Sequence, residues 1–509
     1  MRIIKNILAF LSMLPLLASC HFLEVEKTGK TSIKNFYSDI YALEAAVSGT
    51  YGLTYKFYDS YMVLYPEVTG DLVRFQSGTS EWRQQFDFIS DESEETTAVG
   101  YIWKNGYEII ANANEVIQYG PSVSERFPQQ TATVRNYIAQ AYFLRALLHL
   151  DLCLAYGQTY TYSNDASHLG TAVMTKIPDV KDEIARSSAA STYRQILGDL
   201  ETALEMFSDG WSKGCFYASP AACKALMARI HLYMGNYGDA LKCASEVITG
   251  YGLSLTPRSD YVAMFCRRKE GQEAIFRLNG LSAGAKLRST FDYTNPQMYP
   301  SGKLLDLFSS ESSRWAGSDI RSELLSHTAA DGRSYSGVCM KFIDTEDIAE
   351  SEKRYDPFVL RLSEMYLIRA EAACHEGDLA SAAADVAALE ARARGVNVSD
   401  IDIAYANADD LDVIIQNERI KELFLEGHRL FDITRRHEAL SRDAACGSSV
   451  LSMTFPDDRF ILPVPLVELD ANKAMQPNPI NSTKRLLTKH YIDLTAFGDC
   501  GAKVSGWQH

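Results

Sequence analysis

Asn417 to Arg436 reads NERIKELFLEGHRLFDITRR. Ile420, Leu423, Phe424, Gly427, Leu430 and Phe431 fall at i, i+3, i+4, i+7, i+10 and i+11. That spacing is the buried stripe of one amphipathic helix, so a single helix is predicted across the stretch. Glu418, Glu422, Glu426 and Arg429 form a second, charged stripe. Carboxylates four apart repel on a bare helix surface, so cations must face them. Arg419, Arg429 and Arg435 are the local candidates, and an arginine from another helix serves equally. Gly427 in mid-helix costs about 1 kcal/mol against Ala, a cost accepted where another backbone comes close.

Helical periodicity extends through much of the chain. Ala42–Tyr55 and Thr192–Phe207 read as helices, and Trp103, Tyr107, Ile110 and Asn114 share a face. Val134, Ile138, Ala141, Arg145, Leu148 and Leu152 make another stripe with Arg145 in its middle. A buried arginine must be paired, and the 418–426 carboxylates are the expected partners. His149 stands beside it, but no recognised motif sets a nucleophile or carboxylate next to it. Residues 221–250 and 362–395 each read as a helical hairpin rich in Ala, turned at Gly235 and Gly377. Such units are tetratricopeptide-like, because small residues let helices pack closely. About 140 residues separate the copies, so the fold class is mostly α, a tetratricopeptide-like scaffold with a large irregular insertion. The insertion is 253–356, with one strand expected at Ala274–Leu278, and 65–97 is a second loop-rich segment. Long irregular segments inside compact proteins usually carry function. The acidic run Asp91–Glu95 lacks a calcium-loop pattern and reads as a solvated loop.

Over 509 residues, 46% are hydrophobic and 23% charged, which are globular values. A formal charge of -15 makes nucleic acid and anionic membrane surfaces poor partners. Arg2 and Lys5 precede an apolar run, Ile7–Leu17, too short to span a bilayer with these flanks. It ends Leu17-Ala18-Ser19-Cys20, which is similar to the lipobox of bacterial lipoproteins. Residues 1–19 are therefore read as a lipoprotein signal peptide, 20–38 as a lipidated leader and 39–509 as one domain. The nine cysteines after Cys20 leave at least one thiol unpaired within the chain. Cys153, Cys223, Cys243 and Cys374 fall in helical patterns and read as small buried hydrophobes. No Cys/His metal spacing appears, and no metal or cofactor is expected.

Glu418-Arg419, Glu422-Leu423, Glu426-Gly427, Arg429, Asp432-Ile433 and Arg435 resemble the C-terminal signature of the SusD/RagB family. Further landmarks keep the family's order. Trp103, Tyr107, Ala111, Asn112 and Asn114 resemble one signature, and Ala139–Gly157 resembles another, with Leu150 where the pattern has Phe. Pro300–Phe308, Asp319–Arg321 and Lys341-Phe342 resemble weaker landmarks. Leu462–Pro465, Glu468 and Gln476–Pro479 resemble the closing signature, with Pro477 splitting its Gln and Asn.

The resemblance implies a surface lipoprotein, lipidated at Cys20 in the outer membrane. It would capture an oligosaccharide and pass it to a SusC-like TonB-dependent transporter, without catalysis. A peptide cargo of the RagB type is the alternative. A glycosidase using Glu422 and Glu426 is a distant third, because carboxylates flanked by arginines make poor general acids. Sugar recognition needs aromatic faces for the apolar side of a pyranose and polar groups for its hydroxyls. Aromatics in irregular segments supply the candidates Trp82, Trp315, Tyr293, Tyr299 and Phe75. Asp71, Arg74, Arg83 and Asn295 are the polar candidates.

Overall fold

The computed structural model describes residues 36–75, 81–179, 181–266, 271–280, 285–310 and 315–481. The predicted signal peptide, Cys20, most of the leader and Cys500 lie outside the described residues. The main helices are α1 (Ile40–Phe57), α2 (Ala98–Arg126), α3 (Thr131–Tyr156), α4 (Ala189–Met206) and α5 (Pro220–Met234). They continue with α6 (Tyr237–Gly250), α7 (Leu362–His375), α8 (Leu379–Arg394), α9 (Ala408–Leu423) and α10 (Arg429–Arg435).

Both predicted hairpins form. Ser219 caps α5, Pro220 takes its first position, and Gly235 ends it at φ 73°. Gly377 (φ 86°) and the Asp378 cap make the second turn. Fully buried Ala225, Ala228, Ala240 and Ala244 let α5 and α6 approach closely. Neighbours then follow without a gap: α2 on α3, α3 on α4, α4 on α5, α5 on α6, α6 on α7 and α7 on α8. The two hairpins, distant in sequence, touch through α6 and α7, so the insertion leaves the array and returns without interrupting it. Tyr37, in the expected leader, is already part of this packing. It is buried, stacks on Tyr119 at 5.1 Å and donates to Glu115 at 3.2 Å.

The insertion is closed at its base by antiparallel β2 (Ala274–Arg277) and β6 (Phe358–Arg361). A second ladder joins β1 (Val73–Phe75) to β3 (Met298–Pro300), with Arg74 opposite Tyr299. The two loop-rich segments, far apart in sequence, are thereby stitched into one surface. Within the insertion, β4 (Ser326–Thr328) and β5 (Ser334–Ser336) form a hairpin.

The stretch 417–436 is not one helix. α9 ends at Leu423, Phe424 turns extended, and Leu425 and Gly427 take φ 59° and 92°. The Glu67 carboxylate then accepts the backbone N–H groups of Gly427 and His428, at 2.9 Å each, at the start of α10. The close backbone approach expected at Gly427 is present, since a Cβ there would lie 3.0 Å from the Met62 carbonyl. The apolar periodicity is satisfied by two helices in an elbow, a case that spacing alone does not separate from one helix.

The carboxylates of this stretch face cations from elsewhere. Arg361 meets Glu422 at 2.6 Å and Glu426 at 2.8 Å, and Arg392 meets Glu422 at 2.6 Å. Arg321 reaches Glu422 at 3.1 Å, and Lys341 reaches Glu426 at 2.5 Å. The three local arginines pair differently: Arg419 with Asp432, Arg435 with Glu371, and Arg429 with Asp71. Arg321 and Lys341 belong to the insertion, so this buried network clamps the insertion onto the scaffold. Burial opposes ionisation of Glu422, but Arg392, Arg361 and Arg321 outweigh it and hold its carboxyl well below the usual range. Enclosed carboxylates held ionised in this way make poor general acids, which counts against the glycosidase reading at Glu422 and Glu426.

Arg145 is buried, as expected, but its partner is Asp199 on α4, at 2.6 and 2.8 Å, with Asn114 at 2.7 Å. The 418–426 carboxylates are already neutralised by their own cations. His149 is a satisfied core residue. Its Nε2 accepts the Met174 N–H at 3.0 Å, so Nδ1 carries the proton and donates to the Arg145 carbonyl at 3.0 Å. Burial and Arg145 push its pKa down to about 3. Cys153, Cys223, Cys243 and Cys374 are buried, as expected. In the acidic run, Glu92 turns inward and is 7% exposed, so the run is not wholly solvated.

Candidate functional site: an aromatic-walled cavity in the insertion

A cavity of about 830 Å³ opens in the insertion, within the size range of small-ligand sites. Its position starts at the scaffold. Asp59, just beyond α1, accepts the backbone N–H of Lys286 at 2.7 Å and of Leu287 at 3.3 Å, capping the short helix Lys286–Thr290. Lys286 also pairs with Glu81 at 2.7 Å. Phe291 then enters the core and stacks on Phe342 at 5.4 Å. Two residues on, half-buried Tyr293 reaches the cavity wall.

Opposite residues of the β4–β5 hairpin pack against Tyr293, and of the two His327 lines the cavity. His327 pairs with Tyr335 in register, and their rings lie 4.5 and 5.1 Å from that of Tyr293. Tyr335 meets Tyr293 edge-on at 69°, the packing that aromatic quadrupoles favour, and His327 is tilted at 56°. Burial lowers the His327 pKa, so this ring is neutral at neutral pH. Charged side chains surround the aromatics: Arg288 and Lys353 against Asp292, Asp344, Glu346 and Asp347. Asp292 folds its own loop, accepting the Thr294 N–H at 3.0 Å and hydroxyl at 2.7 Å. Asp344 accepts the Arg354 N–H at 3.0 Å. Rigid rings ringed by hydrogen-bonding groups can hold an amphipathic ring ligand. Among the described residues no cluster of metal-ligating side chains occurs.

Comparison with known proteins places the chain. A profile described as "SusD family" matches residues 298–480, and one described as "Starch-binding associating with outer membrane" matches residues 21–232. The chain belongs to the SusD family. SusD-like protein P2 of Formosa agariphila is 24% identical, over 93% of this chain and 99% of that protein. A SusD superfamily crystal structure from Bacteroides thetaiotaomicron superposes with a TM-score of 0.76 at 24% identity, covering 87% of this chain and all of that one (100%). A structure titled "Laminarin binding SusD-like protein" gives a TM-score of 0.66 at 19% identity, covering 87% of this chain and 99% of that one.

In this SusD-family chain the predicted site residues divide. Tyr293 lines the cavity. Asn295 is exposed nearby, in the turn closed by its N–H to the Asp292 carbonyl at 3.0 Å. Arg74 and Tyr299 are half-buried partners across the β1–β3 ladder, with the guanidinium 4.7 Å from the ring centre. Trp315 is half-buried against the α8 side of the scaffold, with Arg394 at 5.1 Å from its ring. Arg83 is bound to Asp87 at 2.6 Å.

The remaining three candidates are corrected by burial. Trp82 is 2% exposed, packed towards Tyr61, and offers no face to solvent. Phe75 packs on Phe86 at 4.4 Å. Asp71 holds Arg429 and Lys303, each at 2.6 Å. Burial opposes its ionisation, but both cations outweigh that and lower its pKa. Irregular backbone does not imply exposed side chains here, because this loop folds its aromatics inward as its own core.

His327, Tyr335, Arg288 and Lys353 are absent from the sequence-based candidates. A signal for the first two exists. Ser326-His327-Thr328 and Ser334-Tyr335-Ser336 alternate about Asp331-Gly332, which is a hairpin pattern placing His and Tyr on one face.

Proposed function

We propose that this protein is a non-catalytic glycan-binding lipoprotein that holds an oligosaccharide in the Tyr293 cavity. The observation that carries the reading is the pair Tyr293 and His327 lining a cavity of about 830 Å³, with Tyr335 packed against Tyr293 as a brace. Aromatic rings stack on the apolar face of a pyranose, and the surrounding carboxylates, Arg288 and Lys353 bond its hydroxyls. Membership in the SusD family and the laminarin-binding neighbour support a carbohydrate ligand. The outer-membrane association in the second profile's description supports the place of action. With the sequence motif at Cys20, the reading is a lipid-anchored surface protein with one SusD-like domain. It delivers its ligand to a SusC-like TonB-dependent transporter in the outer membrane.

Calorimetric titration against a panel of neutral and charged polysaccharides, with a peptide digest alongside, tests this reading. Binding to one glycan that weakens at least tenfold in Tyr293→Ala supports it, provided no new reducing ends appear on long incubation. Binding to peptides alone would transfer the cavity to peptide cargo. Glycan binding unaffected by Tyr293→Ala and His327→Ala would move the site.

A further inference from the structure

A second cavity, about 780 Å³, lies on the scaffold between α2, the connector 172–184 and the segment 465–475. Two sequence landmarks meet there, because the Trp103 indole N–H donates to Glu468 at 3.3 Å. The polar groups of its floor are already committed. Glu468 also accepts from Asn472 at 3.3 Å, and the Tyr107 hydroxyl donates to the Ala172 carbonyl at 2.9 Å. Trp103 is 5% exposed and sits edge-on to Tyr156, so it offers no open face for a sugar ring. The rest of the lining is mainly apolar: Met174, Pro178, Ile184, Pro465 and Met475, with Val467 at the lip, 52% exposed, and half-buried Tyr101, whose ring packs on Tyr61 at 5.7 Å.

The rim is different. Glu95, Lys104 and Asp179 line the cavity, and their side chains make no hydrogen bond or ion pair among the described residues. Asp182 also lines it and is offset by Lys176 at 3.3 Å. Glu468 adds a further carboxylate below. The rim therefore carries an excess of acid over an apolar floor. Such a groove takes an apolar side chain as anchor and favours cations beside it, as peptide-binding grooves do.

We infer that this cavity docks a peptide segment of a protein partner, in which a large apolar side chain is flanked by lysine or arginine. The site is separate from the Tyr293 cavity and shares none of its residues.

A random twelve-residue phage library panned against the detergent-solubilised full chain tests the assignment. Peptides with an apolar anchor beside basic residues should be enriched. A synthetic copy of the leading peptide should bind at least tenfold more weakly to Val467→Lys, and more weakly in 500 mM than in 50 mM salt, since the rim is exposed and screened. The exposed pair Glu95→Lys with Asp179→Lys should turn the enriched flanks from basic to acidic. No enrichment over a protein-free control would overturn the proposal. So would enriched peptides that bind both variants as well as the unaltered chain. Displacement of the peptide by an oligosaccharide would also overturn it, making the cavity a glycan site.

Discussion

Arg145→Ala is the sharpest probe of what holds the scaffold together. The guanidinium bridges three elements: Asp199 on α4 at 2.6 and 2.8 Å, Asn114 on α2 at 2.7 Å, and the Thr175 carbonyl at 3.0 Å. Truncation leaves Asp199, 2% exposed, with Gln195 at 2.8 Å as its remaining donor. An uncompensated buried charge of this kind costs about 3–5 kcal/mol. The size of the chain decides the assay. With an unfolding entropy of about 2.1 cal/mol/K per residue, each kcal/mol moves the melting temperature by only about 1 °C in 509 residues. Equilibrium unfolding in guanidinium chloride, followed by far-UV circular dichroism, is therefore the better measure. The expected result is an earlier midpoint for Arg145→Ala and recovery of most of that loss in Arg145→Met with Asp199→Leu. Replacing both partners by apolar groups is often nearly neutral, whereas removing one is not. A single substitution costing under about 1 kcal/mol, or a double variant no better than the single, would refute the argument that the pair is a desolvated unit.

Gly427→Ala should destabilise by about 2 kcal/mol or more, because φ 92° is strained for alanine and the new Cβ meets the Met62 carbonyl at 3.0 Å. Gly198→Ala, mid-helix in α4 with nothing within 4 Å, should instead stabilise by about 0.5–1 kcal/mol, and denaturant midpoints read both. For His149, the folded pKa of about 3 lies below its ordinary value. Its contribution is thus complete above about pH 6.5 and is lost as pH falls from there towards 3, about 2 kcal/mol by pH 5. Stability against pH should fall less steeply across that window in His149→Gln, and an unchanged slope would count against a buried neutral ring. Trp82→Phe should leave ligand affinity within twofold while lowering stability, the reverse of Tyr293→Ala, as calorimetry and unfolding on the same proteins would reveal.

The helical scaffold is legible in the sequence because its determinants are local. Alanine-rich faces, the Ser219-Pro220 start and the glycine turns at Gly235 and Gly377 act within a few residues, so both hairpins follow from spacing. The burial of Arg145 is legible for the same reason, since an arginine in an apolar stripe has nowhere else to go. Its partner is not. Which carboxylate meets which guanidinium depends on helices brought together by packing, and Asp199, Arg321, Arg361 and Arg392 are chosen by geometry that no spacing encodes. The elbow at Gly427 is hidden in the same way. A stripe at helical period is preserved when one helix becomes two, and the break is fixed by the Glu67 carboxylate, 360 positions away in the chain. In the candidate site, Tyr293 is legible as an aromatic in an irregular segment, where a ring is less often needed by the scaffold's core. Trp82 and Phe75 satisfy the same criterion and fail, as does the polar candidate Asp71, because a loop of this length builds a core of its own. Sequence by itself determined the family, the repeat scaffold and the irregular insertion in which the candidate cavity lies. Tertiary structure alone decided which of its residues face the cavity, because exposure in a loop is set by what distant segments bring against it, as the β4–β5 hairpin does for Tyr293.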